Sequence, residues 1–521
     1  MERYFNTTGP CDPRWHYMLP PEARLPELNH FIERRQYFVL HAARQTGKTT
    51  AMRALAERLR GGGVVALHAT LEMSQGASEV AEAEPRWLRS IADEAEYNLP
   101  PHHRPPPVSA YLQDEAGSRL KRWLSAWSSA LAPVLLVLLL DEADVVTGPA
   151  MVSLLRQLRA GFHNRPASAP ASIALIGMRD LRDYLVQAKD GVPVNPGSPF
   201  NIKAASLTLR PFTRDEVAAL YAQHTADTGQ EFLPETVDRA VWWSGGHPFL
   251  VNALAGLAVD EIAKDRSLPV TVADIDAAKE RLIHSRTTHL DNLAHRLREP
   301  RVVRFVEAAL LGDQASIDSS SDDFQYVVDL GLLVKNQSGV QVANPIYRET
   351  MARHLSAHVQ DALPQPWWPW LRPDGRLDFN ALIDAFVGWW RRHADMLLES
   401  DPTPYREAAA HLAFMGFLQR VVNGGGTVER EYAAGRGRID LVVDYGPDRF
   451  VVELKRVPPR WRTLEEIEED GVAQLSGYLD TLDLHEGWLV IFDQRAGRTW
   501  AERCWAKEVE HGGKRLHLRG G

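Results

Sequence analysis

Cysteine, excess charge and long hydrophobic segments are all scarce in this sequence. The two cysteines, Cys11 and Cys504, lie far apart in a chain of 521 residues, which argues against a disulfide framework and a cysteine-based metal site. The net charge is only −9, so any contact with nucleic acid must be local. The longest apolar run, residues 133–140, is less than half a membrane span, and residues 1–15 lack the apolar stretch of a signal peptide. We therefore expect a cytoplasmic protein without a membrane partner.

The chain is long enough for roughly three or four domains, and its first part alternates apolar runs with helical patterns. Residues 37–42 (YFVLHA), 64–72 (VVALHATLE), 135–140 (LLVLLL) and 172–178 (SIALIGM) each have the apolar character of a buried strand. Helix-forming segments such as TTAMRALAERLRGGG lie between them. This alternation is typical of a parallel sheet with helices on both faces, so the sequence predicts an α/β domain here.

A phosphate-binding loop follows the first of these strands. Residues 41–50 (HAARQTGKTT) fit the pattern Gly-x4-Gly-Lys-Ser/Thr, except that Ala42 replaces the first glycine. Gly47 lets the backbone curl so that its amides face phosphate, and the following helix adds a favourable dipole. Lys48 would reach the β- and γ-phosphates of ATP, and Thr49 would bind Mg²⁺. We expect the whole loop to bind ATP: Ala42, Ala43, Arg44, Gln45, Thr46, Gly47, Lys48, Thr49 and Thr50.

An acidic pair follows the apolar run LLVLLL. Asp141 stands at the end of the predicted strand, where its carboxylate would hold Mg²⁺, and Glu142 would polarise the attacking water. The alternative is a buried strand followed by a solvated acidic turn. The loop and the acidic pair occur in the expected order, 93 residues apart from Lys48 to Asp141, and together they favour nucleotide binding.

Two arginines, Arg179 and Arg182, follow the strand at 172–178. An arginine at this place would sense the γ-phosphate and offset charge in the transition state. Surface arginines in a loop are an equally good interpretation, so both remain open.

The region after the α/β core has mainly helical patterns. A capping box, Thr213 to Glu216, begins one helix. Residues 322–351 have the order helix, strand, turn, strand, helix that is typical of a winged helix. The stretch PQPWWPWLRPDG (364–375) is rich in proline and tryptophan, so we expect a domain boundary there.

The motifs QTGKTT, LLLDEAD, the strand before Arg179 and GGHPFLVNALA (245–255) resemble those of the AAA+ and STAND-type bacterial ATPases. The resemblance covers about residues 1–355. It implies a P-loop ATPase core at 1–210, a helical lid at 211–290 and a winged helix at 291–355. It also implies that Gly246 and Pro248 contact the nucleotide, although a plain helix-breaking turn would explain the same letters. A homo-oligomer is compatible with this resemblance.

A second site is predicted in GRGRIDLVVDYGPDRFVVELKR (435–456), which has two strand-like halves. With the turn between Gly446 and Pro447, residue pairs sum to 893, and Asp440 lies opposite Glu453. Directly opposed side chains are about 5 Å apart, so the two carboxylates repel unless a cation lies between them. Mg²⁺ or Mn²⁺ would suit these oxygen ligands, with the Leu454 carbonyl as a third. Lys455 shares a face with Glu453 and would activate a metal-bound water to cleave a phosphodiester.

This arrangement resembles the PD-(D/E)XK nuclease superfamily, which implies an α/β restriction-endonuclease-like domain at 379–521 after a linker at 356–378. The matching positions are Asp440, Glu453 to Lys455, Gln474 on the next helix, and the strand GWLVIFD. The resemblance also implies that Glu407 is an early acidic metal ligand. A salt-bridging hairpin and an inactive nuclease fold remain as alternatives.

A short basic stretch beside the second site would hold a nucleic-acid backbone. The acidic run EEIEED that follows it favours a solvated mixed-charge loop instead. The members of the stretch are Lys455, Arg456, Arg460 and Arg462, with Trp461 between them.

These expectations combine into one functional hypothesis. ATP binding and hydrolysis would control a metal-dependent nuclease that acts on nucleic acid, on DNA rather than RNA. A role in defence or in mobile-element biology is implied by the resemblance alone. The competing hypothesis is a signalling or scaffold ATPase whose C-terminal domain binds nucleic acid without cleaving it.

Overall fold

The computed structural model describes most of the chain as two compact units. The first unit comprises Met1–Asn292 and Gln314–Tyr347, and the second comprises Leu293–Asp313 and Arg348–Gly521. The structure describes all residues except 1–2, 179–202, 286–287, 311–316, 337–338, 363–369, 400–408, 423–425, 435–436, 458–461, 494 and 496.

The first unit is built on a five-stranded parallel sheet in the order β2-β3-β4-β1-β5. The prediction of a parallel sheet is confirmed. The strands are β1 (Tyr37–His41), β2 (Val65–Thr70), β3 (Leu136–Asp141), β4 (Ser172–Gly177) and β5 (Lys203–Thr208). The helices are α1 (Leu28–Glu33), α2 (Lys48–Gly61), α3 (Val80–Asn98), α4 (Arg119–Leu131) and α5 (Gly148–Gly161).

The central strands are mainly apolar because side chains pack on both faces of the sheet. On one face, Trp87, Trp123 and Trp127 are fully buried against the strands. On the other face, Met52 and Leu55 of α2 belong to a second cluster. The two clusters hold the ends of the strands, where the candidate nucleotide site lies, in fixed positions.

Five helices follow the sheet: α6 (Arg214–Thr228), α7 (Pro234–Ser244), α8 (Pro248–Leu257), α9 (Val272–His284) and α10 (Thr288–Arg296). The predicted capping box begins α6, because the Thr213 hydroxyl accepts from the Glu216 amide and the Glu216 carboxylate accepts from the Thr213 amide. Gly229 ends α6 with a φ of 79°, a left-handed conformation that glycine adopts without strain.

The predicted order of helix, strand, strand and helix is present. It consists of α12 (Asp322–Asp329), the antiparallel strands β6 (Leu333–Asn336) and β7 (Gly339–Val342), and α13 (Pro345–Ala362). These elements do not all belong to one unit, because the first unit ends at Tyr347, inside α13. The identity of this segment as a winged helix stays a prediction.

The second unit has a mixed six-stranded sheet in the order β12-β13-β11-β10-β9-β8. Three of its four inner strands, β10, β11 and β13, are parallel neighbours, and the remaining pairs are antiparallel. The strands are β8 (Gly426–Ala434), β9 (Gly437–Tyr445), β10 (Asp448–Val457), β11 (Glu486–Asp493), β12 (Ala506–His511) and β13 (Lys514–Gly520). The helices are α11 (Pro300–Leu310), α14 (Phe379–Glu399), α15 (Ala409–Val422), α16 (Leu464–Thr481) and α17 (Trp500–Arg503).

Helices cover both faces of this sheet. Aromatic residues of α14 and α15, such as Phe386 and Phe414, pack on one face, while Leu475 and Leu479 of α16 pack on the other. The strand residues alternate between the two clusters, as the pleat requires. Glu453 of β10 lies on the same face as Val451 and Val457 and is itself buried.

Of the linker predicted at 356–378, the structure describes residues 356–362 and 370–378. Residues 356–362 continue α13, and Trp370 and Leu377 are buried in the core of the second unit. Tryptophan supplies a large apolar surface, and here its burial outweighs the tendency of proline-rich sequence to lie between domains. Residues 363–369 lie outside the described residues.

Among the described residues, no helix is both long enough and apolar enough to cross a membrane. The apolar run at 133–140 instead supplies most of β3, whose six residues are all buried in the sheet.

Candidate functional sites

The phosphate-binding loop connects the end of β1 to the start of α2. Its tight turn depends on two left-handed residues, Gln45 with a φ of 57° and Gly47 with a φ of 89°. Ala42, which replaces the usual first glycine, is buried, and its amide donates to the carbonyl of Gly177 at 3.3 Å. The alanine therefore packs into the core beside β4, and the loop keeps its curl without the first glycine.

Lys48 lies folded against its own loop. Its Nζ donates to the carbonyl oxygens of Ala42 at 2.7 Å and Ala43 at 2.8 Å. Burial lowers the pKa of Lys48, while the nearby carboxylates of Asp141 and Glu142 oppose that shift. The ammonium is thus held by neutral acceptors that the phosphates of a nucleotide can replace.

Asp141 lies at the end of β3 and accepts hydrogen bonds from two side chains. Its Oδ2 lies 2.7 Å from Thr49 Oγ1 and 3.1 Å from Nε2 of His68 on the neighbouring strand β2. Burial alone would raise the pKa of Asp141, but the hydrogen bonds from His68 and Thr49 outweigh it, so the pKa is lowered. An ionised carboxylate beside a hydroxyl forms a pair of hard oxygen ligands that fits Mg²⁺.

Glu142 follows directly and has a left-handed backbone, with a φ of 52°. Its side chain faces a cavity. Loss of water around the carboxylate raises the pKa of Glu142, and repulsion from Asp144 and Asp141 adds to this effect. A strained backbone and a raised pKa at the edge of a cavity are features of a group that handles a proton.

A cavity of about 500 Å³ lies over these residues, which is a suitable size for a nucleotide. Lys48, Thr49 and Glu142 line it from the sheet side, and Pro248 lines it from the start of α8. The contact of Pro248 with a nucleotide stays a prediction. Gly246 instead lies against the backbone of Phe212, where it permits a close approach.

Sequence motifs gave no indication of several residues around this cavity. Asn6 and Cys11 of the N-terminal segment line it, and the Cys11 amide donates to Thr50 Oγ1 at 3.0 Å. His289 and Asn292 of α10 line it as well. These residues come from segments without a local motif, and only the tertiary fold brings them to the loop.

In the second unit, the hairpin of β9 and β10 has the predicted register. The described pairs run from Tyr445–Asp448 to Leu441–Val452, and each pair sums to 893. Asp440 is the next residue of β9, and its Oδ2 accepts from the backbone amide of Leu454 at 2.9 Å. The Asp440 carboxylate thus bonds to β10 just beyond the last backbone pair.

Glu453, Lys455 and Gln474 meet beside Asp440. The Lys455 Nζ donates to Glu453 Oε1 at 2.6 Å and to Gln474 Oε1 at 2.8 Å. The Glu453 side chain is only 1% exposed, and its Oε2 is buried with no hydrogen-bond partner within the described part of the chain. Gln474 is held in turn by Tyr478, whose hydroxyl accepts at 2.6 Å.

The two carboxylates are crowded. Burial and then the repulsion of Asp440 raise the pKa of Glu453 to about 7, with Lys455 opposing the shift. Burial raises the pKa of Asp440 as well. A buried carboxylate oxygen without a partner, next to a second carboxylate, fits a divalent cation.

Within the described part of the chain, Asp440 and Glu453 are the two side chains that could bind a metal ion at this site. Among the described residues, no group of three His, Cys, Asp or Glu side chains comes together at a possible metal site. The Leu454 carbonyl and water would have to complete the coordination. Five residues of the predicted sites lie outside the described residues: Arg179, Arg182, Glu407, Arg460 and Trp461.

Comparison with known proteins shows what the first unit resembles. Residues 32–185 match the AAA domain family. Similar solved structures include a Walker-type ATPase of Pyrococcus abyssi, with 15% identity over 67% of this chain and 99% of that chain and a TM-score of 0.47. The RuvB Holliday junction branch migration motor of Thermotoga maritima shows 15% identity over 63% and 92%, with a TM-score of 0.34. Drosophila ORC bound to DNA shows 12% identity over 65% and 87%, with a TM-score of 0.33.

These TM-scores are too low to support an inference about function. No curated protein matches the chain. The match of residues 32–185, together with the parallel sheet and the loop geometry, identifies an AAA-type P-loop ATPase domain in the first unit.

Proposed function

We propose that this protein binds and hydrolyses ATP, and that its nucleotide state controls a metal-dependent nuclease site in the second unit. The observation that carries the nuclease half is the meeting of Asp440, Glu453, Lys455 and Gln474 at one end of β9 and β10. Two carboxylates can hold a metal ion that activates water for phosphodiester cleavage, and the lysine and the glutamine complete the set that the resemblance to the nuclease superfamily implies.

At the ATP site, the chain's own residues have separable tasks. Lys48 would exchange its two backbone carbonyls for the phosphates, and the loop amides would hold the same phosphates. Thr49 and Asp141 would hold Mg²⁺. Glu142 would orient the attacking water and accept its proton, which its raised pKa supports. Pro248 would contact the nucleotide from the lid.

At the second site, Asp440, Glu453 and the Leu454 carbonyl would hold Mg²⁺ or Mn²⁺. The bound cation would supply a water of lowered pKa and polarise a phosphate oxygen. Lys455 would leave Glu453 and orient the water, and Gln474 would keep the lysine within reach.

The arrangement of domains that we propose follows the sequence. It consists of a P-loop core at 1–210, a lid at 211–290, a winged helix at 291–355 and a PD-(D/E)XK nuclease-like domain at 379–521. The mixed sheet with helices on both faces supports the last of these. Arg179 as γ-phosphate sensor and Glu407 as a further metal ligand also belong to this proposal, as do a homo-oligomer and a cytoplasmic location.

We further propose nucleic acid as the substrate, DNA rather than RNA. Within the described part of the basic stretch, Lys455 pairs with Glu453, and Arg462 pairs with Asp470. Both cations would therefore have to exchange a carboxylate for a phosphate when a nucleic acid binds. Such binding would weaken with salt.

A cleavage assay tests the proposal. Labelled single- and double-stranded DNA and RNA are incubated with Mn²⁺, with and without ATP. We expect cleavage that depends on both, and loss of cleavage in Lys455→Ala. Glu142→Gln should bind ATP but hydrolyse it at least about tenfold more slowly. Cleavage of nucleic acid by this variant should respond to ATP binding without hydrolysis.

Lys507→Ala is the matched control for Lys455→Ala. Lys507 pairs with Glu468 on α16 in the same unit, at the surface, so its removal takes the same charge from the unit and leaves the site intact. Equal cleavage by the parent and Lys455→Ala would contradict the role of the lysine.

The second candidate function is a scaffold ATPase whose second unit binds nucleic acid without cleaving it. It is favoured by the two side-chain ligands that the described part of the chain places there and by the ion pair between Glu453 and Lys455. Nucleic-acid binding without cleavage under every metal and nucleotide condition would support it.

A further inference from the structure

Arg24 lies in the first unit at a place that no sequence motif explains. It ends a short 3-10 helix, Pro21–Arg24, and only 6% of its surface is exposed. Its guanidinium donates to carbonyl oxygens from two distant segments. Nη1 donates to the Thr46 oxygen at 2.8 Å, Nε donates to the Arg210 oxygen at 2.8 Å, and Nη2 donates to that second oxygen too.

The first acceptor belongs to the phosphate-binding loop. A Cβ atom placed on Gly47 would lie 3.5 Å from Arg24 Nη1, so the guanidinium lies directly behind the loop. The C=O and N–H of a trans peptide point in opposite directions. By holding the Thr46 carbonyl, Arg24 therefore turns the Gly47 N–H the other way, and Gly47 lines the cavity.

The second acceptor lies between β5 and α6, where the chain leaves the sheet. The guanidinium also stacks on Phe212, with 4.8 Å between Cζ and the ring centroid. The Phe212 amide donates to the Gly246 carbonyl at 2.8 Å. A Cβ atom on Gly246 would lie 2.2 Å from the Phe212 oxygen, so the two backbones are in direct contact.

These contacts form a closed path. It starts at the cavity with Gly47, passes through Arg24 and Phe212 to Gly246, and returns to the cavity at Pro248. An arginine suits this position because its planar fork joins carbonyls of two separate segments and also stacks on Phe212, which the compact ammonium of lysine does not do. Burial lowers the pKa of Arg24 to about 10, so the group still carries its charge at neutral pH.

We propose that Arg24 is a positioning residue that couples ATP binding at the phosphate-binding loop to the backbone from Arg210 to Pro248. The inference rests on the proposed binding of ATP. Binding that draws the Gly47 amide toward a phosphate pulls on the Thr46 carbonyl, and the guanidinium passes that displacement to Arg210 and Phe212.

The test compares full-length Arg24→Ala and Arg24→Lys with the parent. Calorimetry with ATP and Mg²⁺ gives the affinity, and hydrogen–deuterium exchange at saturating ATP gives the protection of residues 210–250. We expect ATP to slow exchange there in the parent. Arg24→Ala should bind ATP about tenfold more weakly and lose most of this slowing. Arg24→Lys should recover part of the affinity and little of the slowing.

Arg165→Ala is the matched control. Arg165 also donates to a backbone carbonyl, that of Phe162 at 2.6 Å, and stacks on the Phe162 ring at 3.4 Å, away from the loop. It should lower thermal stability as Arg24→Ala does, while ATP affinity and the ATP-dependent slowing stay as in the parent.

The possible outcomes distinguish the inference about Arg24 from the proposed binding of ATP. An Arg24→Ala protein with the ATP affinity and slowing of the parent overturns the inference, as does a parent that binds ATP without slower exchange in residues 210–250. A parent that binds no ATP overturns the proposed function itself.

Discussion

The two lysines at the two candidate sites are both held by the protein, but by different kinds of acceptor. Lys48 donates to two neutral backbone carbonyls of its own loop. Lys455 donates to a buried carboxylate, that of Glu453, and to the amide oxygen of Gln474.

The lysine of the first site lies on neutral groups and can bind an anion. The second site already contains a cation, the ammonium of Lys455. A phosphate is a stronger acceptor for Lys48 than a carbonyl, so a nucleotide gains a charge-assisted hydrogen bond without breaking an ion pair. A divalent cation at Asp440 and Glu453 would instead have to displace the ammonium of Lys455, whose Nζ lies 2.6 Å from Glu453 Oε1. A metal ion at the second site would therefore have to compete with the lysine.

Removing Lys48 should have the largest effect. Lys48→Ala takes away the cation that faces the phosphates, and we expect ATP affinity to fall by more than about 100-fold in calorimetry. Mn²⁺ binding in the second unit should not change, because Lys48 belongs to the first unit. ATP binding at parental affinity would show that Lys48 does not hold the nucleotide.

Removing a carboxylate of the second site comes next. Asp440→Ala should weaken Mn²⁺ binding by about 100-fold, since one of two side-chain ligands is lost. Asp444→Ala is the control, because Asp444 lies on the same strand and pairs with Arg449 at the surface. If both variants bind Mn²⁺ like the parent, Asp440 and Glu453 do not share a cation.

Removing Lys455 should change the affinity for Mn²⁺ in the opposite direction to removing Asp440. Lys455→Met takes away the competing ammonium, and we expect Mn²⁺ to bind about tenfold more tightly while cleavage is lost. Lys507→Met should leave both properties unchanged. Weaker Mn²⁺ binding in Lys455→Met would mean that the lysine supports the metal instead of competing with it.

The smallest effect concerns two glutamates that each pair with a cation but whose pKa values shift in opposite directions. Burial raises the pKa of Glu453 to about 7, whereas hydrogen bonds from Arg210 lower the pKa of Glu216 to about 2. Glu216 is ionised in the folded state at pH values where it is protonated in the unfolded chain. Its contribution is therefore complete above about pH 4.5 and is lost as the pH falls toward 2.

Glu216→Gln should accordingly lower stability by about 1 kcal/mol at pH 7. Thermal unfolding of the parent and the variant should differ most at neutral pH and converge on acidification below about pH 4.5. Glu82→Gln, which removes an exposed partner of Arg86, should have a smaller effect at every pH. A difference that grows on acidification would contradict the assignment.

Local sequence was enough to predict the parts of the fold that depend on local chemistry. The apolar runs predict β1, β3 and β4, and the turn at Gly446 and Pro447 predicts the register of β9 and β10. The register in turn predicts that Asp440 and Glu453 approach each other, because the pleat leaves no other arrangement.

Contacts between distant segments could not be predicted in the same way. His68 reaches Asp141 only because β2 and β3 are neighbours, and Cys11 reaches Thr50 only because the N-terminal segment folds back over the loop. Composition likewise identifies Trp370 as a residue that is able to pack, but not what it packs against. The direction of the Lys455 ammonium depends on an equilibrium between partners, which spacing along a strand does not give.

The contact of Gly246 with Phe212 has a consequence for how movement spreads through the first unit. A side chain between two segments changes rotamer and absorbs a shift of an ångström, like a compliant spacer. Here main chain meets main chain, because a single methyl group would collide at 2.2 Å. A contact between two backbones leaves less room for such adjustment, so a small displacement on one side should be passed more directly to the other.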